Sequence, residues 1–141
     1  MRVGLVGLGV MGSNHARIIS ESNRANLAWV YDANKVVCEQ SARQWGSKPA
    51  SRIEDLDECD AVVVATSTAS HSAIAEHFAS IGKPMLLEKP LCNTLPETLS
   101  LIEQSRKAAI PLMCGFVERF NPAVVTALKM IDGPVRHLST F

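Results

Sequence analysis

Three glycines near the amino terminus, spaced as G-x-G-x-x-G over residues 7–12, constrain the fold of this chain most. They follow a short apolar run at residues 3–6 and precede a segment with helical spacing that extends to about Ser20. A glycine turn between a strand and a helix typically opens a βαβ unit, in which the next strand lies parallel to the first. We therefore expect a parallel sheet that begins at the amino terminus.

Short apolar runs and helical patterns alternate along most of the chain. Strands are predicted over residues 3–6, 27–31, 48–50, 61–65, 85–87 and 112–116, with a last one over 135–141. Helices are predicted over residues 10–20, 36–45, 70–81, 95–109 and 122–131, with one helical turn at 53–56. This order predicts an α/β fold, a Rossmann-type doubly wound parallel sheet with helices on both faces.

Individual residues refine this prediction. The three valines at 62–64 suit a strand that is buried on both faces. Gly46 is expected to end one helix in the left-handed conformation, and Thr94 to cap the start of another. In the first helix, Ala16, Ile18 and Ile19 are expected to face the sheet.

The charges balance, with 14 lysines and arginines against 14 aspartates and glutamates. This balance favours neither nucleic acid nor an anionic membrane as a partner, and no apolar run approaches the ~20 residues of a membrane span. The four cysteines have no CxxC pair and no metal-ligand spacing, so we expect buried or half-buried thiols, no metal and a cytoplasmic protein. They are Cys38, Cys59, Cys92 and Cys114.

The glycine turn is expected to bind the pyrophosphate of a dinucleotide. Gly7 would permit the tight turn, Gly9 would let the backbone approach the pyrophosphate, and Gly12 would allow close packing of helix and strand. The free N–H groups at Val10 and Met11 would then face the phosphates at the positive end of the helix. A glycine turn that binds nothing is the alternative.

Asp32 indicates which dinucleotide is bound. It ends the second predicted strand, 20 residues after Gly12, where Rossmann domains place an acid for the adenosine ribose. A carboxylate there accepts hydrogen bonds from the ribose hydroxyls and repels a 2′-phosphate, which favours NAD over NADP. Lys35 is close enough in sequence to offset this repulsion, so NADP stays possible. A helix-capping role for Asp32 is the alternative.

Glu88, Lys89 and Pro90 directly follow the strand predicted at 85–87. A Glu-Lys pair on a surface loop is usually only solvated. At the carboxyl end of a parallel strand, however, it lies where open α/β sheets bind their ligands. The Lys89 ammonium could there hold a substrate hydroxyl and stabilise developing alkoxide charge.

The segments GLGVMGSNHAR and ATSTASHSAIAEHFASIGKPMLLEKPL resemble the two signatures of the Gfo/Idh/MocA oxidoreductases. Members are NAD(P)-dependent dehydrogenases that act mainly on sugars and cyclitols. The resemblance implies that Lys89 is catalytic and contacts both the substrate and the nicotinamide ribose. It also implies further contacts to the nicotinamide half of the cofactor. Their residues are Thr66, Ser67, His71, Glu88 and Pro90. Many members have proline in place of Ser67.

The segment GFVERFNP at residues 115–122 is similar to one in a branch of nucleotide-sugar 3-dehydrogenases, notably for UDP-N-acetylglucosamine. Arg119 would then lie near the cofactor and substrate cleft, with an interdomain salt bridge as the alternative. We expect His15, on the first helix, to be structural.

The resemblance also implies a domain organisation. We expect a dinucleotide-binding domain over residues 1–120, followed at 121–141 by a linking helix and the first strand of a second α/β domain. Because that second domain carries most of the substrate pocket and the dimer interface in the family, we expect cofactor binding with little turnover, and a homo-oligomer. A non-catalytic, regulatory nucleotide-binding module is the alternative function.

Overall fold

A computed structural model describes residues 1–53, 58–131 and Gly133. Its strands are β1 (Arg2–Val6), β2 (Asn26–Tyr31), β3 (Lys48–Pro49), β4 (Ala61–Val64), β5 (Met85–Leu87) and β6 (Leu112–Cys114). Its α-helices are α1 (Val10–Ser20), α2 (Lys35–Trp45), α3 (Thr68–Ser80), α4 (Leu95–Lys107) and α5 (Pro122–Met130). A short 3-10 helix, Val117–Phe120, precedes α5.

The strands form one sheet in the order β3-β2-β1-β4-β5-β6, and neighbouring strands run parallel. Apolar clusters cover both faces. Val64 packs with Phe78 of α3 and Leu101 of α4, whereas Val63 packs on the other face with Ala16 of α1. The predicted doubly wound sheet is therefore confirmed, as is the burial of the valine strand on both faces.

Two capping residues predicted from the sequence mark the end of α2 and the start of α4. Gly46 ends α2 in the left-handed conformation, with φ of 64°. Thr94 caps α4 in a reciprocal arrangement with Glu97, in which each side chain accepts a hydrogen bond from the other residue's backbone N–H. Both predictions are confirmed, because capping depends on residues adjacent in sequence.

One inward-facing residue was predicted wrongly. Ile18 is 56% exposed, whereas Ala16 is fully buried and Ile19 packs at the edge of the core. Gly12, Ala16 and Ile19 are spaced by four and three residues and share one helix face. Ile18 is two residues beyond Ala16 and therefore points to the opposite side.

Some predictions fall outside the described residues. They are the strand at 135–141 and most of the helical turn at 53–56. The strand predicted at 112–116 ends earlier, at Cys114, because the chain turns sharply there, with the Phe116 N–H donating to the Cys114 carbonyl at 2.8 Å. No helix in the described part of the chain is long and apolar enough to cross a membrane.

The carboxyl ends of the central strands lie level with one another. Val6 of β1 is in register with Tyr31 of β2 and Val64 of β4, and Val64 pairs in turn with Leu87 of β5. The chain leaves β1 toward β2 on one side, while β4 lies on the other. Such a switch point opens a crevice at the strand ends. The first residues beyond these strands are Gly7, Asp32, Ala65 and Glu88.

Candidate dinucleotide site

The glycine turn is shaped by contacts that leave no room for side chains at two of its glycines. Gly7 has φ of 90°, and a Cβ there would lie 2.6 Å from the Ala65 carbonyl oxygen. A Cβ at Gly12 would overlap the carbonyl oxygen of Gly7. At Gly9, by contrast, a Cβ would meet no atom within 4 Å. The turn is therefore closed toward the sheet and open toward the crevice at Gly9.

The amino terminus of α1 has no cap from its own chain. Its N-cap is Gly9, which makes no side-chain hydrogen bond, and its first turn contains no acidic residue. The first helical bond is donated by Ser13 to the Gly9 carbonyl, at 2.8 Å. The N–H groups of Val10, Met11 and Gly12 thus have no acceptor within the helix. Together with the helix dipole, they form a site suited to an anion.

Side-chain capping divides the helices into two groups. The caps of α2, α4 and α5 are Asn34, Thr94 and Asn121, and each accepts a backbone hydrogen bond through its side chain. The cap of α3, Ser67, makes no such bond. Ser67 and Gly9 both line the first pocket, so α3 and α1 begin at the crevice without a side-chain cap. Both helix starts keep backbone donors available for a ligand.

Asp32 is tied to the glycine turn by hydrogen bonds. Its Oδ2 accepts the N–H of Leu8 at 2.8 Å, and its Oδ1 accepts the N–H of Asn34 at 2.9 Å. Asn34, not Asp32, caps α2. The helix-capping alternative for Asp32 is therefore wrong. The carboxylate is instead held at a fixed position beside the turn.

A pocket of about 440 Å³ lies over this side of the crevice. Its lining residues are Gly7, Leu8, Gly9, Tyr31, Asp32, Ala33, Ile53, Ala65, Thr66, Ser67, Ser70 and Ile74. Ser70 was not predicted from the sequence; its hydroxyl bonds to Thr66 Oγ1 at 2.9 Å. Ile53 and Ile74 were missed as well, because an apolar residue that lines a pocket has the same sequence signal as one in the core.

A second pocket, of about 270 Å³, continues the first toward β5. Gly9, Ala65 and Thr66 line both pockets, so the two form one cleft across the switch point. Its other lining residues are Val10, Met11, Glu88 and Lys89. Val10 is 83% exposed. An apolar side chain so exposed at a pocket wall is one that a bound ligand would cover.

The Glu88 carboxylate is fixed at the floor of the second pocket. Its Oε1 pairs with His15 Nε2 at 2.8 Å, and its Oε2 accepts the Lys89 N–H at 3.2 Å. A Cβ at Gly115 would lie 3.0 Å from Oε2, so the backbone of that residue closes the space behind the carboxylate. The sequence did not reveal this pair, because 73 residues separate its members.

Cys114 and Lys89 both lie near Glu88, but Cys114 is half-buried whereas Lys89 is exposed to solvent. The pKa of the Cys114 thiol is raised, first by burial and second by the negative charge of Glu88. A raised pKa keeps this thiol protonated, and therefore unreactive, at neutral pH. Lys89 is exposed, and its ammonium pairs with no group among the described residues. The cation is thus free to meet a ligand in the pocket.

Comparison with known proteins identifies the family. The family model of the Gfo/Idh/MocA proteins, described as an oxidoreductase family with an NAD-binding Rossmann fold, matches residues 1–116. The chain belongs to the Gfo/Idh/MocA oxidoreductases. It forms the NAD-binding Rossmann domain of that family, as its motifs predicted.

Known members resemble the chain over most of its length. Inositol 2-dehydrogenase 2 from Saccharopolyspora erythraea is 33% identical over 139 residues, which cover 94% of this chain and 41% of that protein. The structure of UDP-N-acetylglucosamine 3-dehydrogenase GnnA from Acidithiobacillus ferrooxidans matches with a TM-score of 0.87 and 29% identity, covering 92% of this chain and 41% of that one. The chain thus spans about two fifths of these relatives.

One of the solved relatives is a complex with NAD. GenD2 from gentamicin A biosynthesis, in complex with NAD, matches with a TM-score of 0.87 and 28% identity, covering 92% of this chain and 38% of that one. The open glycine turn, the uncapped α1 and the fixed Asp32 all fit a dinucleotide.

His71, part of the family's central signature, lies beneath the cleft and lines neither of its two pockets. It is 1% exposed. Its Nδ1 lies 3.0 Å from the Pro90 carbonyl oxygen and 3.2 Å from that of Leu91, and its Nε2 lies 3.2 Å from the Thr66 carbonyl oxygen. Both ring nitrogens thus face main-chain carbonyl oxygens, and the predicted contact of His71 with the nicotinamide half stays a prediction.

Arg119 of the 3-10 helix is not brought into the cleft. It is exposed and lines a separate groove beside β6 with Phe116 and Phe120. Among the described residues Arg119 forms no salt bridge. It lies beyond β6, the outermost strand on that side of the sheet, and its predicted proximity to the cofactor stays a prediction.

Metal chemistry has no visible basis in the described part of the chain. No group of three or more histidine, cysteine, aspartate or glutamate side chains there could hold a metal ion. The thiols of Cys38, Cys59 and Cys92 are buried and free, and that of Cys114 is half-buried and free. The expectation of buried or half-buried thiols is thus confirmed.

Proposed function

We propose that this chain binds NAD along the cleft and serves an enzyme that transfers hydride between a ring hydroxyl and the nicotinamide. The observation that carries the proposal is the fixed Asp32 carboxylate in the same pocket as the open glycine turn. The substrate class we propose is a cyclitol, sugar or nucleotide sugar. Support comes from relatives named as inositol and UDP-N-acetylglucosamine dehydrogenases.

Asp32 would bind the adenosine ribose and select NAD. Each of its oxygens accepts one backbone hydrogen bond and has further lone pairs for the ribose hydroxyls. Its negative charge would repel a 2′-phosphate. Lys35, the nearby cation, lines a different pocket with Cys38 and Glu39, which weakens the case for NADP.

The pyrophosphate would lie against the uncapped amino terminus of α1. Gly9 gives it room, and the N–H groups of Val10, Met11 and Gly12 would donate to its oxygens. Gly7 holds the turn that aims these donors. The nearby start of α3 adds a second positive helix end at Ser67.

The nicotinamide half would enter the second pocket, between Thr66 and Glu88, next to Lys89 and Pro90. When bound, the nicotinamide supplies the hydride acceptor for oxidation of an alcohol. Lys89 would donate a hydrogen bond to the substrate oxygen and stabilise the negative charge that develops as its hydrogen leaves. Val10 and Met11 would exclude water from the same space.

We also propose a cytoplasmic location, supported by the free thiols, which cell fractionation would test.

Replacing Asp32 by alanine tests this assignment. We expect NAD⁺ affinity to fall about tenfold, because charge-assisted hydrogen bonds to the ribose are lost. NADP⁺ affinity should stay the same or rise, because the repulsion is removed. Titration calorimetry measures both, with Glu103→Ala on the exposed face of α4 as the control. Equal losses for the two cofactors, or no loss for NAD⁺, would show that Asp32 does not select between them.

A further inference from the structure

The His15–Glu88 pair places a nearly buried charge at one end of the cleft. The side chains of His15 and Glu88 are 16% and 7% exposed, and their contact is 2.8 Å long. Both carboxylate oxygens are occupied, one by His15 and the other by the Lys89 N–H. Neither the glycine turn nor the ribose site needs such a pair. Its position in the pocket wall calls for a separate explanation.

We propose that the His15–Glu88 pair sets the relative affinity of this site for the oxidised and reduced forms of the cofactor. The proposal rests on the proposed function, since it requires the nicotinamide to enter the second pocket. Glu88 supplies a negative charge at that pocket. His15 holds the carboxylate that carries this charge in place.

The two cofactor forms differ in charge where Glu88 lies. The nicotinamide ring of NAD⁺ carries a positive charge, whereas that of NADH is neutral. A carboxylate in a partly dehydrated pocket attracts the positive ring more strongly than it would in bulk water. Glu88 therefore favours NAD⁺ over NADH, while the adenosine and pyrophosphate contacts are common to both.

His15 supports this preference by fixing the carboxylate. Its Nε2 lies 2.8 Å from Glu88 Oε1, and a hydrogen bond from an imidazole N–H leaves the negative charge of the carboxylate intact. Because Gly115 closes the space behind Oε2, the carboxylate has no room to turn away from either its partner or the pocket.

Other charged groups near the pocket do not replace this pair. The second pocket is lined by one carboxylate, Glu88, and one cation, Lys89. Lys89 is exposed, so solvent screens its ammonium more than the buried carboxylate. Cys114, the next titratable neighbour, has a raised pKa and remains neutral. The buried carboxylate is therefore the charge that separates the two cofactor forms.

The test compares the ratio of the dissociation constants, Kd for NADH divided by Kd for NAD⁺, in folded variants at about pH 8. In Glu88→Gln, which preserves shape and removes charge, we expect this ratio to fall about tenfold. Glu103→Gln, which removes an exposed charge on α4, should leave it unchanged. Alkylation of Cys114 should become faster in Glu88→Gln, because burial still raises the pKa of this thiol but the second cause, the charge of Glu88, is gone.

A second variant separates charge from geometry. His15→Gln keeps an N–H donor for the carboxylate and leaves the charge of Glu88 in place, so the ratio should stay about the same. If His15→Gln lowers the ratio as Glu88→Gln does, or if Glu88→Gln leaves the ratio unchanged, the inference is wrong. If the wild-type chain binds neither NAD⁺ nor NADH, the proposed function itself is wrong. Circular dichroism and thermal unfolding verify that each variant is folded.

Discussion

Replacing Gly12 by alanine should destabilise the chain by about 3 kcal/mol or more, whereas the same change at Gly9 should cost no more than about 1 kcal/mol. The difference follows from the space at each position. A Cβ at Gly12 would overlap the Gly7 carbonyl oxygen, which is main chain and cannot rotate away. The α1 helix would have to move off β1, and the buried contacts of Ala16 would be lost with it.

The Gly9→Ala variant should have the opposite profile. Gly9 has extended backbone angles that alanine can adopt, and its Cβ would meet no atom within 4 Å. The methyl group would therefore project into the open cleft, where the pyrophosphate passes. We expect the variant to fold normally and to lose at least about tenfold in NAD⁺ affinity.

Urea unfolding and titration calorimetry on the two variants provide the measurement. The glycines are matched, because both lie in the same turn and receive the same methyl group. Normal NAD⁺ binding by Gly9→Ala would mean that the cofactor does not pass over the turn. If Gly12→Ala is as stable as the wild type, the backbone at Gly12 does not approach the Gly7 carbonyl oxygen closely enough to exclude a methyl group.

Replacing His71 by leucine should cost about 2–4 kcal/mol of folding free energy, although leucine fills a similar volume. The variant removes the ring nitrogens that reach the carbonyl oxygens of Thr66, Pro90 and Leu91. A part-buried carbonyl that loses its hydrogen-bond donor is left with an unpaired acceptor, which costs folding free energy. Since these carbonyls belong to loops on either side of the cleft, NAD⁺ affinity should fall as well.

His77 provides a control on the same helix. Its Nε2 is buried and has no hydrogen-bond partner among the described residues, so His77→Leu should change stability by less than about 1 kcal/mol. Thermal unfolding of both variants, followed by NAD⁺ titration, measures the effects. Equal stability losses at the two positions would contradict the assigned role of His71. A recovery of stability in His71→Gln is expected, because its side-chain amide can donate a hydrogen bond to one of these carbonyls.

The parts of the fold that depend on neighbouring residues could be predicted from the sequence. The glycine turn, Asp32 and the capping residue Thr94 each act within a few positions of the chain, or at a spacing that the βαβ unit fixes. The valine strand was likewise identifiable, since burial on both faces requires an unbroken apolar run. The glycine turn and Asp32 also form the side of the cleft where we propose that the adenosine and pyrophosphate bind.

The nicotinamide side was less predictable, because its contacts join distant segments. His15 meets Glu88 across 73 residues, and no local pattern marks that pair. His71 belongs to a recognisable signature, yet only the packing of its ring shows that it supports the cleft from below. The position of Arg119 beside β6, in a groove with Phe116 and Phe120, is likewise not marked by any local pattern.

The most direct test of the central claim is a backbone-amide NMR titration of the chain, whose 15.3 kDa suits the method, with NAD⁺. We predict saturable shifts at Leu8, Val10, Asp32 and Thr66, continuing to Lys89, because the dinucleotide lies along one cleft across the switch point. Amides at the far end of α4 should not move. The absence of saturable shifts, or shifts confined to a surface away from the glycine turn, would contradict this account.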